Sequence, residues 1–150
     1  MQWEDKMTSS NYRLVDLQEK EIIAKTKNLH YMAYHLYRDR QYEEASLFFR
    51  LLTVVNHDEP KYWKGLGACL QMKQDYSEAL NCYIHTQSLY NKQLDPYLYI
   101  YAADCYFALN QIDDGLKALE AARLSAPQNA QILKHVALMK TQWESSPKNN

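Results

Sequence analysis

The residues of this chain that could perform chemistry are 5 histidines, 3 cysteines and a pair of adjacent aspartates. None of them stands in an H-E-x-x-H zinc motif, a nucleophile elbow or a Ser/His/Asp order. His30 and Tyr34 fall one helical turn apart, but a metal site would need further ligands nearby. The remaining histidines are scattered, at His35, His57, His85 and His135. We therefore expect no catalytic residue, no metal and no cofactor.

The other reactive side chains have structural interpretations. The cysteines are odd in number and lack C-x-x-C spacing, which indicates neither a disulfide framework nor a zinc site. We expect Cys69, Cys82 and Cys105 to be buried, reduced thiols, as in a reducing cytoplasm. Asp113–Asp114 falls in a turn and the first turn of a helix, where the helix dipole favours acidic residues.

The stretch that organises the chain is WKGLGACLQMKQDYSEALNCY, residues 63–83. Its apolar residues recur at i, i+3, i+4 and i+7, which predicts two amphipathic helices on either side of a turn at 73–75. Small residues, Gly67 and Ala79, stand where the two helices would approach each other. This is the W-x2-L-G … A-x3-F pattern of a tetratricopeptide unit, with Tyr83 in the aromatic position.

The unit repeats along the chain. Ala45 and Ala79 are 34 positions apart, which is the tetratricopeptide period. They end the similar runs YEEA and YSEA, which give the two repeats the same register. Ala79 and Gly115 are 36 positions apart, two more than the period, which predicts a two-residue insertion in the loop around 91–94. An acidic residue followed by proline, at Pro60 and again at Pro96, is an ordinary helix start.

The repeats predict an all-α fold in which three tandem tetratricopeptide repeats form a short right-handed solenoid. A leading N-terminal helix, capped at Ser9 or Ser10, and a C-terminal capping helix complete it. The predicted segments are a flexible 1–9, a single domain at 10–145 and a flexible 146–150. Within the domain they are a leading helix at 10–25, repeats at about 26–59, 60–93 and 96–127, and a capping helix at 128–145.

Composition excludes several classes of function. The net charge is −1, and no cluster of Lys and Arg offers a surface for nucleic acid. No run of about 18 apolar residues could span a membrane. The N-terminus, MQWEDKMTSS, lacks the basic and apolar regions of a secretory signal.

In such a solenoid the first helix of each repeat lines a concave groove. Its second, fifth, ninth, twelfth and thirteenth residues face inward. These residues are Lys27, His30, Tyr34, Tyr37 and Arg38 in repeat one, Lys61, Lys64, Ala68, Gln71 and Met72 in repeat two, and Tyr97, Ile100, Asp104, Phe107 and Ala108 in repeat three. The set is aromatic and apolar at both ends, as a binding strip would be. Tyr99 and Tyr106 stand at core positions, where packing between helices and a place in the groove are equal alternatives.

Two motifs narrow the interpretation. Both motifs end in a cysteine at the same position of successive repeats. The first is residues 42–69, YEEASLFFRLLTVVNHDEPKYWKGLGAC, and the second is Tyr101-Ala-Ala-Asp-Cys105. Both resemble signatures of the class II chaperones of type III secretion systems, which guard hydrophobic translocator proteins. The resemblance covers roughly residues 28–125.

The resemblance implies an ATP-independent chaperone of the bacterial cytoplasm, not an enzyme, whose groove takes an extended Pro-x-Leu-x-x-Pro segment of a translocator. The groove aromatics of that family match Tyr34, Tyr37 and Tyr42, with His30 where many relatives have Tyr. Relatives also dimerise through N-terminal helices, so a homodimer is a candidate assembly. On this basis, truncating Tyr37 or Phe107 is expected to weaken binding of the protein that the groove holds, its client, without loss of helix.

Other functions stay open at this point. A chaperone of needle or filament subunits would hold an amphipathic helix instead of an extended segment. A general tetratricopeptide adaptor that reads C-terminal carboxylates needs Lys and Asn at inward positions where this chain has His30 and Tyr34. An enzyme is the weakest alternative.

Overall fold

The computed structural model describes residues 2–90 and 95–145, with side chains of the first helix described at residue 13 and from residue 16 onward. This part of the chain contains helices and turns and no strand. The helices are α1 Gln2–Arg38, α2 Tyr42–Val55, α3 Pro60–Met72, α4 Tyr76–Leu89, α5 Pro96–Ala108, α6 Ile112–Ser125 and α7 Ala130–Glu144. The all-α class is confirmed.

Each helix packs against the next one along the chain, and two pairs of first helices, α1 with α3 and α5 with α7, also touch. This is the stacking of helix pairs that makes a solenoid. The turns inside the three pairs share one left-handed residue, Arg40, Gln74 and Asn110, with φ of 61°, 66° and 60°. None of the three is glycine, and of the three residue types only asparagine is common in this conformation, so the sequence did not predict it for all three turns.

The first helices of the second and third repeats begin as the sequence predicts. Pro60 and Pro96 occupy the first turn, and the preceding Glu59 and Asp95 cap the helix by accepting a backbone N–H. Helix α7 begins in the same manner, since Asn129 Oδ1 accepts from the backbone N–H groups of two following residues, both at 3.1 Å. Side-chain caps therefore mark the first helices of the second and third repeats and the capping helix α7.

Asp95 performs two tasks, which a pair of variants can separate. Its Oδ1 accepts from Tyr97 N at 3.0 Å, and its Oδ2 accepts from Lys64 Nζ at 2.8 Å. We expect Asp95→Ala to lower the free energy of unfolding by about 1–2 kcal/mol, mostly through the lost cap. Asp95→Asn keeps a capping oxygen and should lose about half as much, because a part-exposed ion pair contributes at most about 1 kcal/mol. Urea unfolding followed by circular dichroism measures both, and equal losses would show that the cap contributes nothing.

The N-terminal prediction was wrong in one respect. The leading helix does not end near residue 25, and Ser9 and Ser10 do not start it, because α1 is continuous from Gln2 to Arg38. No Gly or Pro stands between residues 2 and 38, so nothing interrupts the backbone hydrogen bonds. The insertion predicted at 91–94 and the tail at 146–150 lie outside the described residues.

The core is divided into two clusters. One joins the first two repeats to the start of α5, and the other joins α5, α6 and α7. In the first cluster Gly67 lets two helices approach, since a Cβ there would stand 2.8 Å from Tyr83 Cε1. In the second, Ile132, Val136 and Met139 of α7 are buried, as predicted for the capping helix.

Candidate functional site

A cleft of about 560 Å³ opens along the first helices and is the candidate site, called the groove below. Its volume is in the range of about 300–1,000 Å³ that ligand pockets occupy. The residues that line it are His30, Tyr34 and Tyr37 of α1, Phe49 of α2, Lys61, Lys64, Gly65, Ala68, Gln71 and Met72 of α3, Tyr83 of α4, and Tyr101 and Asp104 of α5.

Helix α1 supplies an aromatic wall. Tyr34 is 52% exposed, and the guanidinium of Arg38 lies 5.9 Å from its ring centroid. The His30 ring meets Phe49 edge-on with centroids 6.0 Å apart. Burial, and next the charge of Lys61, lower the pKa of His30, so this side chain is uncharged at neutral pH and extends the apolar wall.

The floor of the groove depends on two positions of α3 that have no side chain or a small one, Gly65 and Ala68. A Cβ at Gly65 would collide with the Phe49 ring, so glycine at this position lets a side chain of α2 reach the groove. Ala68 leaves similar room beside it. Tyr83 enters from α4, and its hydroxyl donates to Gln71 Oε1 at 2.7 Å. Two side chains from second helices therefore form part of a surface built mainly by first helices.

Charged groups stand at the edges of this apolar surface. Lys64 Nζ lies 2.8 Å from Asp95 Oδ2 and 5.9 Å from the Tyr101 ring centroid. Burial alone would lower the pKa of Lys64, but the hydrogen bond and charge of Asp95 hold it above its ordinary value. Asp104 lines the groove from α5 and is half-buried. The groove can thus bind an apolar segment with polar contacts at its margins.

Several residues predicted for the groove line it in the structure. They are His30, Tyr34, Tyr37, Lys64, Ala68, Met72 and Asp104. Their part in binding stays a prediction.

The prediction was wrong for Ile100 and Phe107, which are 1% and 3% exposed. Both belong to the second core cluster, and the Phe107 ring stacks on Trp143 of α7 with centroids 4.6 Å apart. The reason is that α7 lies against α5 and covers its inward face in the third repeat. The groove therefore ends at Asp104.

Tyr42 and Tyr97 are near the groove without lining it. The Tyr42 ring packs edge-on against Tyr37, which lines the groove, with centroids 5.4 Å apart. Tyr97 is 37% exposed and stacks on Tyr101, 6.4 Å between centroids. Tyr99 and Tyr106 are partly buried against the second core cluster, so packing is the correct alternative for both.

Sequence reasoning missed Phe49, Gly65, Tyr83 and Tyr101 as lining residues. The inward positions of first helices do not include them, and two of the four come from second helices. The one available signal was Gly65, because a glycine in mid-helix opens room for a neighbouring side chain.

The three cysteines are buried, as expected. Burial raises the pKa of Cys69 and Cys105 to about 12 and that of Cys82 to about 11, which keeps the thiols protonated and unreactive. In the described parts of the chain, no three His, Cys, Asp or Glu side chains gather as a metal site requires. None of the helices within 2–90 and 95–145 has both the length and the apolar content needed to cross a bilayer.

The comparisons with known proteins agree on one family. The tetratricopeptide repeat family matches residues 60–84. Low calcium response locus protein H of Yersinia pestis is 27% identical over 97 residues, which cover 65% of this chain and 56% of that protein. A chain of the solved CopN–Scc3 complex is 32% identical, covers 78% of this chain and 68% of its own length, and has a TM-score of 0.69. The chain belongs to the class II chaperones of type III secretion.

A second solved structure has the same fold. The structure of the Yersinia enterocolitica type III secretion chaperone SycD, in complex with a peptide of the translocator YopD, has a TM-score of 0.70. It is 23% identical and covers 79% of this chain and 89% of that chain. The resemblance of the chain to this family is confirmed. The matched region spans a little over half of the Yersinia pestis protein, 56% of its length.

Proposed function

We propose that this chain is an ATP-independent chaperone that holds an extended apolar segment of a type III secretion translocator in the groove. It does so in the bacterial cytoplasm, before secretion, and performs no reaction on the bound protein. The observation that carries the proposal is the open, largely apolar groove, walled by His30, Tyr34 and Tyr37, in a member of this chaperone family. The SycD complex supports it, because there a relative holds a translocator peptide.

The energetics favour this role. Burying apolar surface contributes about 25 cal/mol per Å², so a few aliphatic side chains supply enough free energy for binding once ordering costs are met. The groove lowers those costs on the protein side, because its floor is fixed by packing of Phe49 and Tyr83, 4% and 2% exposed. A proline-containing segment is already extended, which lowers them for the client.

Tyr34 is the residue with which to test the proposal. We expect Tyr34→Ala to weaken peptide binding about 10- to 30-fold, since aromatic anchors in a groove contribute about 2 kcal/mol. Helical content should not change, because the side chain is half exposed. The measurement is a fluorescence polarisation titration with labelled peptides tiled over the hydrophobic secreted proteins of the same genome.

Tyr31 supplies the matched control. It lies on the same helix, is 66% exposed and does not line the groove, so Tyr31→Ala should bind as the wild type does. Equal loss in both variants would contradict the groove. Binding of long amphipathic helices alone would favour a needle-subunit chaperone, and no binding of any peptide would overturn the proposed function.

A further inference from the structure

Asp104 is the carboxylate that lines the groove, and it forms no ion pair within the part of the chain that the structure describes. It lies on α5 and is half-buried. Burial raises its pKa, against the charge of His135 and a side-chain hydrogen bond with Gln71, which both lower it. The folded protein therefore holds a carboxylate in surroundings that disfavour its charge.

The hydrogen bonds around Asp104 leave most of its accepting capacity unused. Gln71 Oε1 already accepts from the Tyr83 hydroxyl at 2.7 Å, so the amide nitrogen is the group that Gln71 offers to Asp104. A carboxylate can accept about four hydrogen bonds. The amide of Gln71 carries no charge, so it does not neutralise the carboxylate.

Neither of the two lysines that line the groove pairs with Asp104. Lys64 is bound to Asp95 at 2.8 Å, and Lys61 acts on His30, whose pKa it lowers. His30, Lys61 and Lys64 come from the first two repeats and Asp104 from the third. The lysines of the groove therefore stand on α3, and its carboxylate Asp104 stands on α5.

We propose that Asp104 pairs with a Lys or Arg side chain of the client, so that the groove selects apolar segments that carry a basic residue toward the third repeat. This inference rests on the proposed function and defines the class of segment bound. A cation placed at Asp104 supplies charge-assisted hydrogen bonds in addition to the one from Gln71.

The test uses the tightest-binding peptide from the tiled set, synthesised with its basic residues as Lys and, in a second version, as uncharged norleucine. We expect wild-type protein to bind the Lys version about tenfold more tightly, the value of one charged hydrogen bond. Asp104→Asn should bind both versions with equal affinity. Asp39→Asn, which removes an exposed charge from the turn before α2, should keep the wild-type preference.

The melting temperature of Asp104→Asn distinguishes a role in binding from a role in stability. A carboxyl group whose pKa is raised in the folded state lowers stability at pH values above that pKa. If Asp104 serves binding, Asp104→Asn should therefore melt at or above the wild-type temperature. A lower melting temperature together with an unchanged Lys preference would assign Asp104 to stability and overturn the inference.

The outcomes separate the two proposals. Equal binding of the Lys and norleucine versions by wild-type protein overturns the role of Asp104 and leaves the chaperone function standing, and this comparison needs no variant that must fold. If the tightest-binding peptide contains no basic residue, the role of Asp104 is likewise overturned and the chaperone function still stands. Absence of binding by every peptide overturns the proposed function and this inference with it.

Discussion

Phe107→Ala is expected to lower the free energy of unfolding by about 3–5 kcal/mol, as removal of a buried aromatic ring does. The ring is 3% exposed and stacks on Trp143 at 4.6 Å, with 15° between the planes. A Cβ at Gly115 would collide with it, so α6 is packed directly against the ring. Urea unfolding followed by circular dichroism measures the loss.

The control for Phe107 is Leu138→Ala on α7, a residue 63% exposed, which should change stability by no more than about 0.5 kcal/mol. At temperatures where Phe107→Ala remains folded, it should bind peptide as the wild type does. Weakened peptide binding with unchanged stability would show that Phe107 lines the groove, as its position in the repeat predicts.

Gly67→Leu is expected to destabilise the second repeat by about 1–3 kcal/mol or more through overpacking. The added Cβ alone would stand 2.8 Å from Tyr83 Cε1 and 3.2 Å from Cys82 Cβ. Tyr83 cannot readily move, because it is 2% exposed and its hydroxyl is bound to Gln71. The higher helix propensity of leucine stabilises the folded state by only about 0.8 kcal/mol, so the steric clash is the larger effect and the variant is less stable than the wild type.

Ala68→Leu provides the neighbouring control for Gly67. Ala68 faces the groove, so a larger side chain there enters open space and should leave the melting temperature nearly unchanged while it obstructs peptide binding. A Gly67→Leu protein that melts like the wild type would show that α3 and α4 do not approach as closely as the structure has them.

The groove combines a rigid floor with a wall that has exposed side chains. Phe49 and Tyr83 are buried in the first core cluster, whereas Tyr34 and Met72 are about half exposed, at 52% and 49%. Substitutions on the wall should therefore act on binding, and substitutions on the floor should act on both binding and stability. This division is what allows the Tyr34 and Asp104 experiments to be interpreted without a loss of fold.

The sequence by itself determined the helix pairs and their register. The 34-residue spacing of Ala45 and Ala79, the caps before Pro60 and Pro96, and the glycine at Gly67 are local signals, and the structure places a helix start or a close approach at each. Such signals suffice because helix periodicity and capping depend on residues close together in the chain.

The tertiary structure alone decided which inward residues remain accessible. Ile100 and Phe107 occupy the same kind of repeat position as groove residues, but α7 packs on them and makes them core. Phe49 and Tyr83 reach the groove because Gly65 and Gly67 remove the side chains that would exclude them. Whether a face is buried depends on the helix that stacks against it, and for the third repeat that helix comes more than 20 residues later in the chain.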